Sequence, residues 1–114
     1  MTKPKPSSRQ KKRYIVFQIM SDEQYAFEDA KRMIMSTFKR CIGEFGTADA
    51  NPYFIRNQYM QDKQKGVLRV YNKKLADSLR CLAQPAFYQG KEIHINVKGI
   101  SGILKKARYK FLEV

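Results

Sequence analysis

The stretch YIVFQIM, residues 14–20, decides the fold, because it predicts a β-strand that is followed directly by a helical pattern. Most of its residues are β-branched or aromatic, the types that are enriched in strands. Successive side chains of a strand point to opposite faces, so one face of this strand is uniformly apolar. The apolar face consists of Ile15, Phe17 and Ile19, and the other face of Tyr14, Val16 and Gln18.

A first helix is predicted from Ser21 to about Phe45. Ser21 and Gln24 form a capping box, and the two acids between them suit the positive end of the helix dipole. The apolar residues that follow have the three-and-four spacing of a core face, and Gly46 is expected to end the helix. This apolar stripe consists of Phe27, Ala30, Ile34, Phe38, Cys41 and Phe45.

Two strands, a second helix and a fourth strand are predicted after a turn at Asn51-Pro52. The strands are predicted over residues 53–61, 66–71 and 92–98, with a hairpin connection over residues 62–66. The second helix is predicted from Asn72, with Leu75, Leu79 and Leu82 on its apolar face and Pro85 and Gly90 marking the loop after it.

The C-terminal segment predicts a tight turn over residues 99–102 and a helix, capped by Ser101, that continues to about Leu112. Lysines and arginines cover much of its surface, so we expect it to dock on the sheet with its lysines turned towards phosphates. A membrane-surface helix is the alternative. Its apolar side consists of Ile103, Leu104, Ala107 and Phe111.

This order of elements predicts an α+β fold. Strand, helix, strand, strand, helix, strand is the split βαβ arrangement of ferredoxin-like and RRM-like domains. We therefore expect an RRM-like α/β sandwich with an antiparallel sheet, two helices on one face and an additional C-terminal helix. Residues 1–12 are expected to form a flexible basic arm, and residues 13–114 a single domain.

The charge balance predicts a polyanionic partner. The chain contains 23 Lys and Arg against 10 Asp and Glu, which gives a formal net charge of +13. Nucleic acid is the favoured partner, through phosphate neutralisation. A membrane surface and a merely solvated surface are the alternatives. The chain has neither an apolar run long enough to span a membrane nor a signal peptide, which predicts a soluble cytoplasmic protein with no membrane partner.

Catalytic signals are weak. His94 is the one histidine, and it has no partner with the spacing of a metal site. Gly99 and Ser101 match the first part of the G-x-S-x-G motif of a nucleophile elbow, but Ile103 stands where the motif needs its second glycine. Cys41 and Cys81 are expected to be free thiols, with a single disulfide left open.

The sheet face opposite the helices is expected to mix basic, polar and aromatic groups. The segment KGVLRVY, residues 65–71, begins like an RNP1 motif, but Val67 and Arg69 replace the aromatics that stack on bases. Recognition of the backbone and shape of a folded RNA is therefore favoured over reading of a single-stranded sequence. The residues expected on this face are Tyr14, Gln18, Arg69, Tyr71, His94, Asn96 and Lys98.

A series of short motifs resembles the archaeal ribonuclease P protein component 2 family and its eukaryotic counterpart. The motifs are KRYIVF at residues 12–17, GEFG at 43–46, GVLRV at 66–70 and VKGISGILKK at 97–106, which leads into Phe111-Leu112. The resemblance implies an RRM-like, non-catalytic subunit of the endoribonuclease that removes the 5′ leader of precursor tRNA. It implies Mg²⁺ on the RNA subunit and no cofactor on this chain.

The resemblance also implies partners and contacts. The partners are ribonuclease P RNA, precursor tRNA indirectly, a TIM-barrel-like protein subunit, and a second copy of the chain within a heterotetramer. Another basic RRM-like ribonucleoprotein or ribosomal assembly factor is the alternative function, and a small independent nuclease is a third. The predicted RNA-binding residues are Lys11, Lys12, Arg13, Arg69, Lys98, Lys105, Lys106 and Arg108.

Overall fold

The computed structural model describes residues 11–113, in which five strands form one antiparallel sheet. Short 3-10 turns lie at Arg56–Gln58 and Asn72–Lys74, and a π-helical turn, Arg108–Leu112, follows the last helix. The α+β sandwich is confirmed, with one strand more than predicted. The elements are β1 (Lys12–Met20), α1 (Phe27–Ala50), β2 (Tyr53–Phe54), β3 (Lys65–Tyr71), α2 (Leu75–Ala83), β4 (Ala86–Tyr88), β5 (Lys91–Ser101) and α3 (Leu104–Ala107).

The central strand of the sheet is β1, in the strand order β2-β3-β1-β5-β4. Its register with β3 begins with Lys12 opposite Tyr71. The strand therefore starts two residues before the predicted start at Tyr14, and Lys12 belongs to the ladder rather than to a flexible arm. The rest of the predicted arm, residues 1–10, lies outside the described residues.

The main core lies between the sheet and the helices α1 and α2. Ile15, Phe17 and Ile19 of β1 all face it, as the alternation predicts. Burial of a side chain of this size stabilises the fold by roughly 1.5–3 kcal/mol. The helices and the other strands contribute Ala30, Met33, Ile34, Phe38, Leu68, Val70, Cys81, Leu82, Ile93 and Ile95.

The predicted capping box of Ser21 and Gln24 is wrong, since α1 begins at Phe27. Tyr25 is buried in the core, and its N–H donates to Gln64 Oε1 at 3.1 Å. The amide of Gln64 in turn donates to the Ser21 carbonyl at 3.0 Å. These hydrogen bonds to the β2–β3 connection replace the helical bonds that the capping box would start, so tertiary packing overrides the local signal.

The end of α1 differs from prediction because the helix is broken at Gly43. Gly43 has φ 74° and ψ −180°, a conformation that side chains disfavour and glycine tolerates. The helix resumes and ends at Asn51, which is left-handed with φ 47°, so Gly46 does not end it. The break turns Phe45 into solvent, where it is 90% exposed, although it was predicted on the apolar stripe. The other stripe residues do face the core.

The strand β2 is much shorter than the predicted strand over residues 53–61. The chain leaves the sheet after Phe54, which is buried, and turns through Arg56–Gln58. The Tyr59 ring packs edge-on against Phe54, with centroids 5.3 Å apart, and its hydroxyl donates to the Tyr25 carbonyl at 2.6 Å. Burial raises the pKa of Tyr59. Phe54 and Tyr59 of this aromatic cluster lie within residues 53–61, which the sequence pattern assigned to a single long strand.

The short strand β4 was not predicted, since three residues between Pro85 and Gly90 are too few to show alternation. It pairs with β5 through Ala86 opposite Ile93 and extends the sheet at the edge away from β2. The segment that was predicted as a loop is therefore part of the sheet.

The last strand, β5, continues to Ser101, beyond the predicted end of residue 98. Its register with β1 shifts between Val16, opposite Gly99, and Phe17, opposite Val97. Lys98 is the extra residue of this bulge. The tight turn predicted from Gly99 is therefore wrong, because these residues are paired with β1.

The C-terminal helix, which is α3 together with the π-helical turn after it, docks on the outer face of the sheet. The outer face is the face opposite α1 and α2. Ser101 does not cap this helix, because its hydroxyl accepts the N–H of Ile103, the residue at the N-cap position, at 3.1 Å. Ile103 was predicted on the apolar side of the helix, but it is exposed. Within residues 11–113, no helix is long and apolar enough to cross a membrane. The outer core comprises Val16, Val67, Ala107 and Leu112, with Tyr14, Ile55, Met60, Leu104 and Phe111 partly buried against it.

The two cysteines have free thiols, as expected, and lie on the neighbouring helices α1 and α2. Cys81 is fully buried, and Cys41 packs against the same core. Burial, together with a hydrogen bond to Cys41, raises the pKa of Cys81 to about 12. Cys81 is therefore a protonated core residue at neutral pH.

Candidate nucleic-acid interface

Several stretches of the chain contain cations but no Asp or Glu, including residues 30–43 of α1. Three of them lie in the sheet or on its outer face: residues 11–21, 65–76 and 93–112. They include β1, β3, most of β5 and the C-terminal helix. These elements form the centre of the sheet and the layer that covers its outer face. Because cations outnumber acids here, the outer face has an excess of positive charge that attracts polyanions.

Most of the predicted RNA-binding cations are not paired with a carboxylate in the part of the chain that the structure describes. Among these eight residues in the described part of the chain, Arg108 alone forms an ion pair, with Glu113 at 3.2 Å. Four cations elsewhere in the chain are paired with carboxylates, and the hydrogen bond to Glu23 raises the pKa of Lys91. The predicted RNA-binding cations are therefore less neutralised by carboxylates than these four cations are. The four paired cations are Arg32, Arg56, Arg80 and Lys91.

The outer face is not one continuous surface, because the C-terminal helix divides it. Val16 and Val67, in the middle of the face, are covered by this helix. On one side of the covered row, Tyr14 lies opposite Arg69. On the other side, Gln18 lies opposite Asn96. The residues predicted on this face are thus present, but they form two separate groups.

The first group lies where β1 begins and β3 ends, and we call it the sheet-end group: Lys12, Tyr14, Tyr53, Arg69 and Tyr71. Lys12 lies opposite Tyr71, and Arg69 lies between Tyr14 and Tyr53 in the next row. The Arg69 guanidinium lies 4.9 Å from the centre of the Tyr53 ring. Cations and aromatic rings alternate here, a combination typical of surfaces that bind nucleic acid.

Lys11 and Arg13 lie at the border of this group. The Lys11 carbonyl accepts the Asn72 N–H at 2.7 Å, so the backbone is fixed while the side chain remains exposed. Arg13 follows Lys12 and points to the opposite face, with Nη1 donating to the Lys12 carbonyl at 3.1 Å. The structure therefore separates Arg13 from the sheet-end group.

The remaining predicted RNA-binding cations lie on and beside the C-terminal helix. Lys105, Lys106 and Arg108 are exposed and line a surface concavity of about 440 Å³, together with Tyr109 and Glu113. The Glu113 carboxylate neutralises part of the Arg108 charge. The two lysines are the better candidates for contact with phosphate.

Lys98 belongs to the surroundings of this helix. It is exposed at the β5 bulge, next to Gly99. A Cβ atom on Gly99 would lie 2.4 Å from the Phe111 ring, so the ring packs directly on the strand. Glycine is required here for the close approach of the helix that places Lys105 and Lys106.

Tyr53 is the member of the interface that the sequence prediction missed. It was placed in a strand, but no face was assigned to it. The signal was present in its neighbour: Phe54 is apolar and buried, and strand alternation turns Tyr53 to the outer face. The pairing of Tyr53 with Arg69 depends on the register and could not be predicted from periodicity alone.

The residues considered for catalysis are His94 and Ser101, and each contacts a residue two positions away in the sequence. His94 Nε2 lies 3.1 Å from Glu92 Oε2, and both side chains are more than half exposed. Within the described residues, no group of three or more His, Cys, Asp or Glu could hold a metal ion.

The sequence model of the Rpp14/Pop5 family matches residues 13–112. Ribonuclease P protein component 2 of Pyrococcus abyssi is 35% identical over 108 residues, which cover 94% of this chain and 89% of that protein. The protein of the same name from Methanosarcina mazei is 32% identical, over 95% of this chain and 90% of that protein.

A solved structure supports the same fold. A chain in the cryo-EM structure of yeast ribonuclease MRP superimposes with a TM-score of 0.66, covering 88% of this chain and 85% of that one. At 13% identity, this likeness shows the fold alone. The family match and the sequence relatives confirm the resemblance, and the chain belongs to the Rpp14/Pop5 family.

Proposed function

We propose that this protein is a subunit of ribonuclease P that binds the RNA subunit of the enzyme and supports removal of the 5′ leader from precursor tRNA. The observation that supports this proposal most directly is the near-full-length similarity to ribonuclease P protein component 2 of several archaea. The outer face, whose candidate RNA-binding cations are mostly unpaired among the described residues, supplies the chemistry that such a role needs.

The proposed mechanism is electrostatic. A folded RNA brings phosphates close together, and their repulsion opposes the compact form. Lysines and arginines that contact phosphates cancel part of this repulsion and release counterions. Lys12 and Arg69 of the sheet-end group, together with Lys98, Lys105 and Lys106, provide such cations on one side of the molecule.

The chemical step belongs, in this proposal, to the RNA subunit, which would hold the catalytic Mg²⁺ ions. This protein would be non-catalytic and would act by stabilising the active fold of the RNA. Its further proposed partners are a TIM-barrel-like protein subunit and a second copy of itself in a cytoplasmic particle. Precursor tRNA would be contacted indirectly, through the assembled enzyme.

Reconstitution tests the proposed function. The RNA subunit and the other protein subunits would be assembled with and without this chain, and cleavage of precursor tRNA would be measured over a series of Mg²⁺ concentrations. We expect activity at limiting Mg²⁺ to fall when the chain is omitted, because unscreened phosphates then need more metal. Equal activity with and without the chain contradicts the proposal. Recovery of ribosomal RNA alone with the native protein would support a ribosomal role instead.

The variant Lys105→Ala with Lys106→Ala is expected to weaken binding to the RNA subunit and to reduce its salt dependence. The slope of log K against log salt should fall by about one unit for each phosphate that the variant no longer neutralises. Titration of labelled RNA at several salt concentrations measures this slope.

The matched control is Lys31→Ala with Lys39→Ala, which removes the same charge from exposed positions on α1. We expect the control to keep the wild-type slope. If both double variants lower the slope equally, RNA binding depends on net charge alone, and the assignment of the C-terminal lysines is wrong. Thermal unfolding of each variant checks that the fold is unchanged.

A further inference from the structure

The exposed aromatic ring of Tyr53 has no role in the neutralisation of phosphates proposed above. The ring is large, 51% exposed, and lies at the margin of the outer face. In the described part of the chain, β2 is an edge strand, paired with β3 alone. The aromatic ring therefore borders solvent on the side away from the sheet.

The position of Tyr53 is fixed by its neighbours. Phe54 is buried with its ring centroid 4.5 Å from that of Phe27 and 5.4 Å from that of Phe17. Before the strand, left-handed Asn51 ends α1, and its amide donates to the Tyr71 hydroxyl at 3.1 Å. Anchors on both sides thus fix the position of the Tyr53 backbone.

The Tyr53 ring is already stacked on one side. The Arg69 guanidinium lies 4.9 Å from the ring centre, from the direction of β3. A planar guanidinium that covers a ring can still donate N–H groups in its own plane to a phosphate. Tyr53 is 51% exposed, so a planar, polarisable group can contact the part of the ring that Arg69 does not cover.

We propose that Tyr53 stacks against the base of an unpaired nucleotide of the bound RNA, while Arg69 donates to the adjacent phosphate. This inference rests on the proposed function as an RNA-binding subunit. Lys12, in the row next to Arg69, lies along the same margin and continues the line of positive charge. A base within a duplex is stacked on both sides, so the site selects a bulge, a loop or a single-stranded end.

The probe for this site is single-stranded hexa-adenylate, compared with an oligoribonucleotide of equal length that lacks the bases. Both probes have the same phosphates, so their difference reports base contacts. Wild-type protein is expected to bind hexa-adenylate more tightly. Tyr53→Ala should lose about 5- to 150-fold of that affinity, as expected for one stacked base, and Tyr53→Phe should retain it.

Phe87→Ala is the matched control for Tyr53→Ala. Phe87 is 52% exposed on β4, at the opposite edge of the sheet, and has the Arg40 guanidinium 5.1 Å from its ring centre. It therefore resembles Tyr53 in exposure and in its neighbouring cation, but it lies away from the sheet-end group. Binding of hexa-adenylate by Phe87→Ala should equal that of the wild type.

Spectroscopy on unmodified protein provides a test that no folding defect can obscure. The ring protons of Tyr53 should shift upfield on addition of hexa-adenylate and should stay unchanged with the base-free probe. If Tyr53→Ala binds both probes like the wild type, or if the Tyr53 resonances do not respond, base stacking is refuted and phosphate binding stands. If wild-type protein binds neither these probes nor the RNA subunit, the proposed function itself fails.

Discussion

Replacing Phe38 with alanine is expected to lower the free energy of unfolding by about 3–5 kcal/mol. Phe38 is fully buried in the middle of α1 and belongs to the core between the helices and the sheet. Truncation of its ring removes apolar packing and leaves a cavity that a close-packed core fills only in part. Since small domains are stable by about 5–15 kcal/mol in total, a large part of the population should unfold on mild heating.

The matched control for this prediction is Phe45→Ala on the same helix. Both phenylalanines belong to the apolar stripe predicted from the sequence, yet Phe45 is exposed beyond the break at Gly43. Surface substitutions usually change stability by less than about 0.5 kcal/mol. Urea unfolding of both variants measures the difference. Equal costs for the two positions would contradict the described course of α1.

These two phenylalanines show what periodicity predicts and where it stops. The three-and-four spacing correctly placed Phe38 in the core, because an unbroken helix repeats its faces regularly. The same spacing misplaced Phe45, because one left-handed glycine, Gly43, rotates everything after it. At the other end, the true start of α1 depends on hydrogen bonds that join Gln64 to Tyr25 and Ser21. Gln64 is distant from both in sequence, so a local capping rule cannot detect these bonds.

In the interface, too, the composition of the sequence predicts one part of the site, whereas the other part depends on the register of the strands. The surplus of cations could be counted in the sequence, and it predicted a polyanionic partner. The arrangement of these cations could not, since it depends on strand pairing. Alternation separates Arg13 from Lys12, pairing joins Arg69 to Tyr53, and a bulge at Lys98 shifts the end of β5.

Replacing Gly99 with alanine is expected to loosen the C-terminal helix from the sheet and to destabilise the protein by about 1–3 kcal/mol. The added methyl would lie 2.4 Å from two atoms of the Phe111 ring and 2.5 Å from its Cγ, nearest the backbone, so rotation of the ring tip does not relieve the overlap. The helix must move, and Val16 and Val67 beneath it become accessible to water. Binding to the RNA subunit should weaken in parallel, because Lys105 and Lys106 lose their fixed position.

Hydrogen exchange of the backbone amides measures this loosening directly. Exchange of residues 104–112 should accelerate in Gly99→Ala, whereas exchange in α1 should stay near the wild-type rate. Gly102→Ala is the matched control, because its methyl would meet only the flexible end of Arg13, at 3.3 Å. Unchanged exchange in Gly99→Ala would show that the packing of Phe111 on Gly99 does not hold the helix.

A double-mutant cycle with Phe111→Ala separates the steric overlap from any other effect of the new methyl group. In the Phe111→Ala background the ring is absent, so adding a methyl at residue 99 should cost little further stability. The two substitutions should therefore show an interaction energy of roughly 0.5–3 kcal/mol rather than simple additivity. Additive costs would mean that alanine at residue 99 disturbs the β5 backbone itself, and that the close packing of Phe111 on Gly99 is not what secures the cationic helix.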